Sequence, residues 1–413
     1  WMDFPNSFIR AGKETCSLDH FVPAPYFRKT FAIKSLKQLN SAAEASVVLC
    51  GLGFYELYIN GKNITNGYLA PFVSNPDHFL YVDTYDISRY LLKGKNAICI
   101  LLGNGIANAP SAVESKLHIA RFRMAPAMAL RLEMGEQIIE SDEVFKTSPS
   151  AILSDDYRAG VVYDARCRND AVLLPEFDDS GWRSASVVPA PRGDFVPNRA
   201  NPISERGRMR PVSIEEKDGV YTYNFPKNSS GIYKLNLKNT AAGQKITLGF
   251  FEKLWPNGLS GEDKQYETPD LDFGQTDIYI CKGGESEEWI PSFTYHGFEY
   301  VKVKGITEEQ ATADLLTYIE LSTQMNERGV FNCSDERANK IFAMALNSSL
   351  SNFQHILTDC PHREKNGWTA DAALSAEHTL LFLEPENNFR QWMQMLRRAQ
   401  ADDGRLPGII PTG

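Results

Sequence analysis

The chain has 413 residues, of which 43% are hydrophobic and 23% are charged, a balance typical of globular proteins that excludes wholesale disorder and fibrous classes. Lys and Arg total 43 and Asp and Glu total 52, which gives a formal net charge of -9 and disfavours nucleic acid as a partner, because acidic proteins are repelled by phosphates. No run of 18 or more apolar residues occurs, so no membrane-spanning helix is predicted.

At roughly 150 residues per domain, the length predicts about three domains. The seven cysteines form no Cys-x-x-Cys pair, so neither a zinc ribbon nor a redox motif is indicated. Because the chain begins with Trp1 instead of Met, we expect residues to precede it. The sequence leaves the localisation open between the cytoplasm, the periplasm and the exterior.

The sequence from about residue 20 to 320 predicts β structure, because short alternating runs are separated by clusters of Gly, Asn, Asp and Pro. Residues 54–59 alternate and lead into Asn60-Gly61, the strongest two-residue signal for a β-hairpin. Residues 96–102 are almost continuously apolar, which is typical of a buried strand. Further strands are predicted at residues 127–132 and 161–163.

A boundary is predicted near residues 186–210, where four prolines in a polar stretch oppose regular hydrogen bonding. Beyond it, residues 298–304 alternate over seven positions and predict a strand. The sequence therefore predicts two β-sandwich domains, at residues 1–195 and 203–322. Other alternating runs of the second domain lie at residues 221–225, 245–250 and 276–280.

After residue 322 the apolar pattern changes to a helical period. Ser334-Asp335-Glu336 indicates a helix start with Ser334 as the N-cap. Apolar residues then follow at steps of one, three and four as far as Phe353. A second helix is predicted at about residues 370–383, and a third begins at Pro385-Glu386.

The segment between the first two predicted helices, residues 359–371, is rich in ionisable side chains. Its acids Asp359, Glu364 and Asp371 can converge if the segment folds back on itself. Glycoside hydrolysis requires converging carboxylates, one to protonate the leaving oxygen and one to activate water. Trp368 offers an indole face for a sugar ring. Composition alone favours a plainer interpretation, in which the acids stabilise helix ends and the indole packs.

The order of the residues favours the glycosidase. Asp359-Cys360-Pro361-x-Arg363-Glu364-x-x-Gly367-Trp368-Thr369-x-Asp371 resembles the signature of bacterial α-L-rhamnosidases, the inverting enzymes of glycoside hydrolase family 78. The resemblance implies that Glu364 is the general acid and that Asp359 and Asp371 bind rhamnose hydroxyls. It also implies that Trp368 lines the sugar pocket and that Arg363 contacts the sugar or orients the acid.

The resemblance extends over most of the chain. Residues 53–62 and 102–105 look like the family's galactose-binding-like jelly roll, and residues 293–301 look like the end of its second sandwich. It implies that residues 323–413 are the first helices of an all-α (α/α)6 catalytic barrel. The family's general base, another Glu, is then expected beyond Gly413, so these 413 residues alone are expected to be an incomplete enzyme. Two positions depart from many members, Asn366 and Ala370, which replace Leu and Gly.

Metal sites are weaker candidates. Asp178-Asp179 could suggest calcium, but one Asp-Asp turn lacks the six to eight oxygen ligands that calcium takes, so a plain turn is favoured. His362, Cys360 and Asp359 do not complete a set of four tetrahedral ligands, so no metal is predicted.

The sequence thus predicts a multidomain glycoside hydrolase that releases terminal α-L-rhamnose from a glycoside, oligosaccharide or polysaccharide. No cofactor is predicted, because protonation and water attack need none. Two alternatives stay open. One is a non-catalytic carbohydrate-binding protein with a degenerate barrel, and the other is a related glycosidase with a different sugar specificity.

Overall fold

The computed structural model describes residues 7–12, 22–34, 45–109, 111–112, 115–254 and 274–413. Within them, strands dominate up to residue 323, and the three α-helices follow residue 335. None of the helices in these ranges is long and apolar enough to span a membrane. The first fifteen strands are β1 (Ser7–Arg10), β2 (Pro25–Ile33), β3 (Ser46–Leu52), β4 (Tyr55–Ile59), β5 (Lys62–Asn63), β6 (Phe79–Asp86), β7 (Gly94–Leu102), β8 (Ala127–Met134), β9 (Gln137–Glu140), β10 (Lys146–Pro149), β11 (Ile152–Asp156), β12 (Gly160–Asp164), β13 (Arg183–Ser184), β14 (Ser186–Pro189) and β15 (Asp194–Pro197).

Two sheets form the N-terminal sandwich. A seven-stranded sheet has the order β14-β1-β8-β3-β6-β15, with β9 paired to β8, and a six-stranded sheet has the order β13-β10-β2-β7-β4-β5. Val47 and Leu130 of the first sheet share one buried cluster with Phe27 and Ile98 of the second, so the two sheets pack face to face. The hydrophobic burial of this interface is what holds the sandwich together.

The hairpin predicted at Asn60-Gly61 is confirmed. Tyr58 pairs with Asn63 and Ile59 pairs with Lys62, which joins β4 to β5 through a two-residue turn. Asn60 and Gly61 have φ values of 50° and 81°. Both lie in the left-handed region that a type I′ turn requires, and Asn and Gly are the residues that adopt it most readily.

The second β region is one hydrogen-bonded sheet of ten strands. Its long strand β18 (Val220–Thr240) pairs with four other strands, and its pairing with β22 (His296–Lys304) shifts register between Asn224 and Ser229. The domain boundaries at residues 195 and 203 stay a prediction. Strand pairing crosses them, because β11 and β12 precede residue 195 and yet belong to this sheet. The later strands are β16 (Ile203–Met209), β17 (Ser213–Lys217), β18 (Val220–Thr240), β19 (Lys245–Phe251), β20 (Thr276–Ile280), β21 (Gly284–Trp289), β22 (His296–Lys304), β23 (Leu316–Thr323), β24 (Phe353–Gln354) and β25 (Ile356–Leu357).

The proline-rich stretch at residues 186–210 is more regular than its composition indicates. It contains β14, β15 and β16, and β15 pairs in parallel with β6. Pro189 and Pro197 are the last residues of their strands, where a missing N–H interrupts little of the ladder. The prediction that this stretch lacks regular hydrogen bonding is therefore wrong.

The helices are α1 (Glu336–Ser351), α2 (Thr369–Phe382) and α3 (Glu386–Arg398), close to the predicted positions. The predicted cap of α1 is wrong by one residue, because the Asp335 carboxylate, and not Ser334, accepts a hydrogen bond from the Arg337 N–H at 2.9 Å. The helix also ends before Phe353, which lies in β24. The β24–β25 hairpin leads directly into the segment that carries the predicted site.

Candidate active site

The motif loop, residues 359–371, follows β25, folds back on itself and includes the first turn of α2. The Asp359 N–H donates to the Asn366 carbonyl at 3.0 Å. In return, the Asn366 N–H donates to Asp359 Oδ1 at 2.9 Å. These two bonds close the loop between positions 359 and 366, so the segment folds back as the predicted convergence of Asp359, Glu364 and Asp371 requires.

Glu364 and Trp368 are in direct contact. The Trp368 indole Nε1–H donates to Glu364 Oε2 at 2.7 Å, and the Asn366 side-chain amide lies 3.5 Å from the same oxygen. Among the described residues, no hydrogen bond reaches the second oxygen, Oε1. The indole therefore fixes the orientation of the carboxyl group and leaves one oxygen able to exchange a proton with a ligand.

Asp359 is an acid of this loop whose pKa is altered by its surroundings. Burial raises the pKa of Asp359, and the nearby Glu364 carboxylate also raises it. Hydrogen bonds from Cys360 and the Asn366 N–H act in the opposite direction. Asp359 thus keeps its proton to a higher pH than an ordinary aspartic acid.

Two predicted residues stand apart from this group. Arg363 is exposed, and Asp371 is exposed in the first turn of α2. The described contacts do not join either of them to Glu364 or Trp368. The structure therefore brings together Asp359, Glu364 and Trp368, and it places Arg363 and Asp371 on accessible positions of the same segment.

Buried residues from a distant part of the chain hold the motif loop from behind. Arg158, in the turn between β11 and β12, is 1% exposed. Its guanidinium donates through Nε to the Glu364 carbonyl and through Nη2 to Asn366 Oδ1 at 2.6 Å. Asn366 therefore accepts a charge-assisted bond that an apolar side chain at this position could not accept.

Lys365 points away from the accessible side of the loop. It is 2% exposed, and its Nζ donates to the carbonyls of Tyr157, at 2.9 Å, and Tyr295. The amine also lies 4.4 Å from the centre of the Tyr295 ring. Burial, the largest cause, lowers the pKa of Lys365 to about 7, and the charge of Arg158 adds to the effect.

The segment at residues 408–412 supports the other side of the loop. The Ile410 N–H donates to the Gly367 carbonyl at 2.9 Å, and the Thr369 N–H donates to the Gly408 carbonyl at 2.8 Å. A Cβ atom on Gly367 would lie 2.1 Å from the Ile410 carbonyl oxygen. Glycine is therefore needed at position 367 for the two backbones to approach.

Sequence reasoning missed Arg158, Tyr157 and Tyr295. Arg158 contacts Asn366 across 208 positions of the chain, and no local pattern signals such a contact. The one signal available was the departure at Asn366, because an amide in place of an apolar residue requires a polar partner when it is buried.

The described residues contain no group of three or more His, Cys, Asp or Glu side chains that could hold a metal ion. At the Asp178-Asp179 turn, Asp178 Oδ1 accepts the Ser180 N–H at 3.0 Å. Asp179 forms an ion pair with the buried guanidinium of Arg28. His362 Nδ1 lies 3.2 Å from Oε2 of Glu252, which is not a residue of the motif loop.

Comparison with known proteins places this succession of two β regions, the motif loop and the helices in a family. Three family models match in succession: the alpha-L-rhamnosidase N-terminal domain at residues 40–206, the bacterial alpha-L-rhamnosidase concanavalin-like domain at 214–321, and the bacterial alpha-L-rhamnosidase 6 hairpin glycosidase domain at 326–413. The chain belongs to the bacterial α-L-rhamnosidase family.

Individual relatives agree with this placement. The chain is 31% identical to an alpha-L-rhamnosidase of Formosa agariphila over 385 residues, which cover 91% of this chain and 39% of that protein. The structure of alpha-L-rhamnosidase from Dictyoglumus thermophilum is 30% identical, with a TM-score of 0.87 over 99% of this chain and 46% of that one. The Streptomyces avermitilis alpha-L-rhamnosidase complexed with L-rhamnose, 24% identical, shares the fold with a TM-score of 0.84 over 95% of this chain and 38% of that one. The chain thus spans less than half the length of these relatives.

Proposed function

We propose that the protein that carries this chain is a glycoside hydrolase that releases terminal α-L-rhamnose with inversion of configuration. The observation that carries the proposal is the oriented carboxyl of Glu364, which is fixed through Oε2 by Trp368 and free of described partners at Oε1. The names of the relatives support rhamnose as the sugar. We further propose that α1, α2 and α3 begin an (α/α)6 barrel, which the match of residues 326–413 to a 6 hairpin glycosidase model supports.

In the proposed reaction, the Glu364 carboxyl gives its proton to the glycosidic oxygen while the bond between that oxygen and the anomeric carbon breaks. A water molecule attacks the anomeric carbon from the opposite face, and a second carboxylate takes the proton of that water. In this proposal the base is another Glu, which lies beyond Gly413, as the family resemblance implies. No cofactor takes part, because both steps are proton transfers coupled to C–O bond changes.

Other residues of the loop act on the sugar in this proposal. The carboxylates of Asp359 and Asp371 accept hydrogen bonds from rhamnose hydroxyls, and the Trp368 ring lies against a C–H face. Arg363 is accessible and donates to the sugar or to the acid.

Asp359 is the competing candidate for the proton donor, because its raised pKa keeps it protonated to a higher pH. The experiment therefore compares Glu364→Gln with Asp359→Asn in the intact protein. The substrates are two aryl α-L-rhamnosides, one with a strongly acidic and one with a weakly acidic phenol. Exposed Glu377→Gln on α2 is the matched control and is expected to keep wild-type rates.

We expect Glu364→Gln to lower kcat/KM by roughly 10²–10⁴-fold for the poor leaving group, the usual contribution of general acid catalysis. The loss shrinks for the good leaving group, which departs without a proton. Asp359→Asn slows both substrates alike. The reverse pattern would assign the proton donor to Asp359, and NMR of the first-formed anomer tests inversion.

The two other functions give distinct results in the same assays. A non-catalytic carbohydrate-binding protein binds rhamnosides without turnover in any variant. A glycosidase of different specificity hydrolyses another aryl glycoside faster than the rhamnoside, with the same dependence on Glu364.

A further inference from the structure

A large cleft lies between the two β regions, away from the motif loop. Its volume is about 790 Å³, within the range of roughly 300–1,000 Å³ that is usual for small-molecule sites. Tyr26 and Tyr58 of the six-stranded sheet line one wall, and Tyr163 and Trp289 of the ten-stranded sheet line the other. No residue of segment 359–371 lines it.

Tyrosines give the cleft partly exposed aromatic side chains and hydroxyls that have no described partners. Tyr26, Tyr58, Tyr68 and Tyr163 are each only partly buried. The Tyr58 hydroxyl donates to Glu56. No hydrogen-bond partner for the hydroxyls of Tyr26, Tyr68 and Tyr163 is found in the described part of the chain. Tyrosine hydroxyls in buried or half-buried positions usually have a partner, so these three are available to a ligand.

Glu56 is the acceptor at the centre of this arrangement. One oxygen accepts the Tyr58 hydroxyl, and the other accepts the Ser292 hydroxyl at 2.6 Å from the opposite wall. An ionised carboxylate has about four acceptor positions. Two positions therefore remain for donors from outside the protein, and the bond to Ser292 holds the walls at a fixed separation.

The charges of the lining decide the class of ligand. Arg168 bonds to Asp170 at 2.9 and 3.1 Å, and Lys234 bonds to Glu288 at 2.7 Å, so these cations are already neutralised. An anionic ligand would find no excess positive charge, and an apolar ligand would bury the carboxylates and phenols without partners. The charged lining residues are three acids, Glu56, Asp170 and Glu288, and three bases, Arg168, Arg208 and Lys234.

We propose that this cleft binds a neutral saccharide unit, separately from the site at Glu364. A pyranose ring presents C–H faces to the tyrosine rings and hydroxyl donors to Glu56. Its hydroxyls also meet the phenols of Tyr26, Tyr68 and Tyr163. Binding here does not require hydrolysis, and it would hold a second part of a glycan on the protein while another part reaches the motif loop.

The test measures binding of L-rhamnose, D-galactose and sodium glucuronate to the full chain by ligand-observed NMR titration. The cleft variants are Glu56→Gln and Tyr68→Phe. Tyr68→Phe keeps the ring and removes only a hydroxyl with no described protein partner, so it stays informative if Glu56→Gln impairs folding. The matched control is Tyr221→Phe on β18, which does not line the cleft. Trp368→Ala removes the indole of the motif loop, so sugar binding that persists in this variant is assigned to the cleft.

We expect Glu56→Gln to weaken binding of at least one neutral sugar about tenfold and Tyr68→Phe to weaken it about threefold, in line with the loss of a charged and a neutral hydrogen bond. This loss persists in the Trp368→Ala background, and glucuronate binds more weakly than the neutral sugars. Unchanged affinities in both cleft variants would overturn the proposal. Preferential binding of glucuronate would overturn the assignment of a neutral ligand. Hydrolysis of aryl rhamnosides stays at the wild-type rate in Tyr68→Phe, so failure here is distinguishable from failure of the proposed function.

Discussion

The two halves of the motif loop are held in different ways. Lys365, Asn366 and Gly367 are buried and bonded to distant parts of the chain, whereas the side chains of Arg363 and Asp371 are exposed and have no described partners. Glu364 lies where the two halves meet. Its backbone carbonyl is bound from behind by Arg158, and its carboxyl is bound from the accessible side by Trp368.

Within thirteen residues, this difference separates the residues that position the backbone from those that can contact a sugar. The buried half fixes where the backbone lies, because its contacts come from the β11–β12 turn and from residues 408–412. The accessible half presents the groups that a sugar can reach. Substitutions in the buried half should therefore change mainly stability, and those in the accessible half should change mainly turnover.

The largest expected loss of stability follows Arg158→Ala. The substitution leaves the Glu364 carbonyl and Asn366 Oδ1 buried without donors, which costs about 3 kcal/mol of unfolding free energy. Arg363→Ala removes an exposed arginine of the same loop and is expected to change stability by less than about 0.5 kcal/mol. Urea denaturation measures both, and equal losses would contradict the division of the loop.

Gly367→Ala tests the contact with residues 408–412. The added Cβ would lie 2.1 Å from the Ile410 carbonyl oxygen, so one backbone must move, at a cost of roughly 2 kcal/mol. Gly181→Ala, where a Cβ meets open space, is the control and should be within about 0.5 kcal/mol of wild type. A tolerated Gly367→Ala would show that the segment at 408–412 is not fixed against the loop.

Lys365 makes the stability of the folded protein depend on pH. Its folded pKa of about 7 lies below the value of 10.5 for an ordinary lysine. Between these values the unfolded chain binds more protons, so stability rises with pH over this interval and is lost as the pH falls towards 7. A neutral amine still supplies two N–H donors, enough for the carbonyls of Tyr157 and Tyr295.

We therefore compare the unfolding free energies of wild type and Lys365→Met from pH 6 to pH 10. The difference should change by up to about 1.4 kcal/mol per pH unit above pH 7, the maximum for one proton. Exposed Lys340→Met is the control and should show a constant difference. A constant difference for Lys365→Met as well would mean that the buried lysine stays charged in the folded protein.

The sequence predicted the local features of the molecule well, since periodicity and turn residues act over a few positions. The strand at residues 276–280 and the hairpin at Asn60-Gly61 lie where they were predicted, and the segment between positions 359 and 366 does fold back on itself. The position of α1 was also predicted, although Asp335 replaces Ser334 as its cap because its carboxylate reaches the Arg337 N–H.

Long-range features had no local signal. The parallel pairing of β12 with β20 joins segments more than 100 residues apart. The apolar pattern of α1 predicted a helix but not which side would be buried, and Ile341 and Met344 are 67% and 70% exposed. The support of the motif loop by Arg158 depends on how the second sheet recruits β11 and β12, which no spacing within the loop reveals.

The smallest expected loss of stability is that of Asp371→Asn. This variant distinguishes most clearly between a residue that only stabilises its helix and one that acts on the sugar. Asp371 lies in the first turn of α2, where any carboxylate gains about 0.3–1 kcal/mol from the helix dipole. Glu336, exposed in the first turn of α1, has the same helical role and no place in the motif loop. Asp371→Asn and Glu336→Gln should therefore lose similar, small amounts of unfolding free energy. Only Asp371→Asn should lower kcat/KM for aryl rhamnosides, equally for good and poor leaving groups, because its proposed contact is with the sugar. If both variants turn over at the wild-type rate, Asp371 only stabilises its helix, and the accessible half of the loop acts through Glu364 and its neighbours without it.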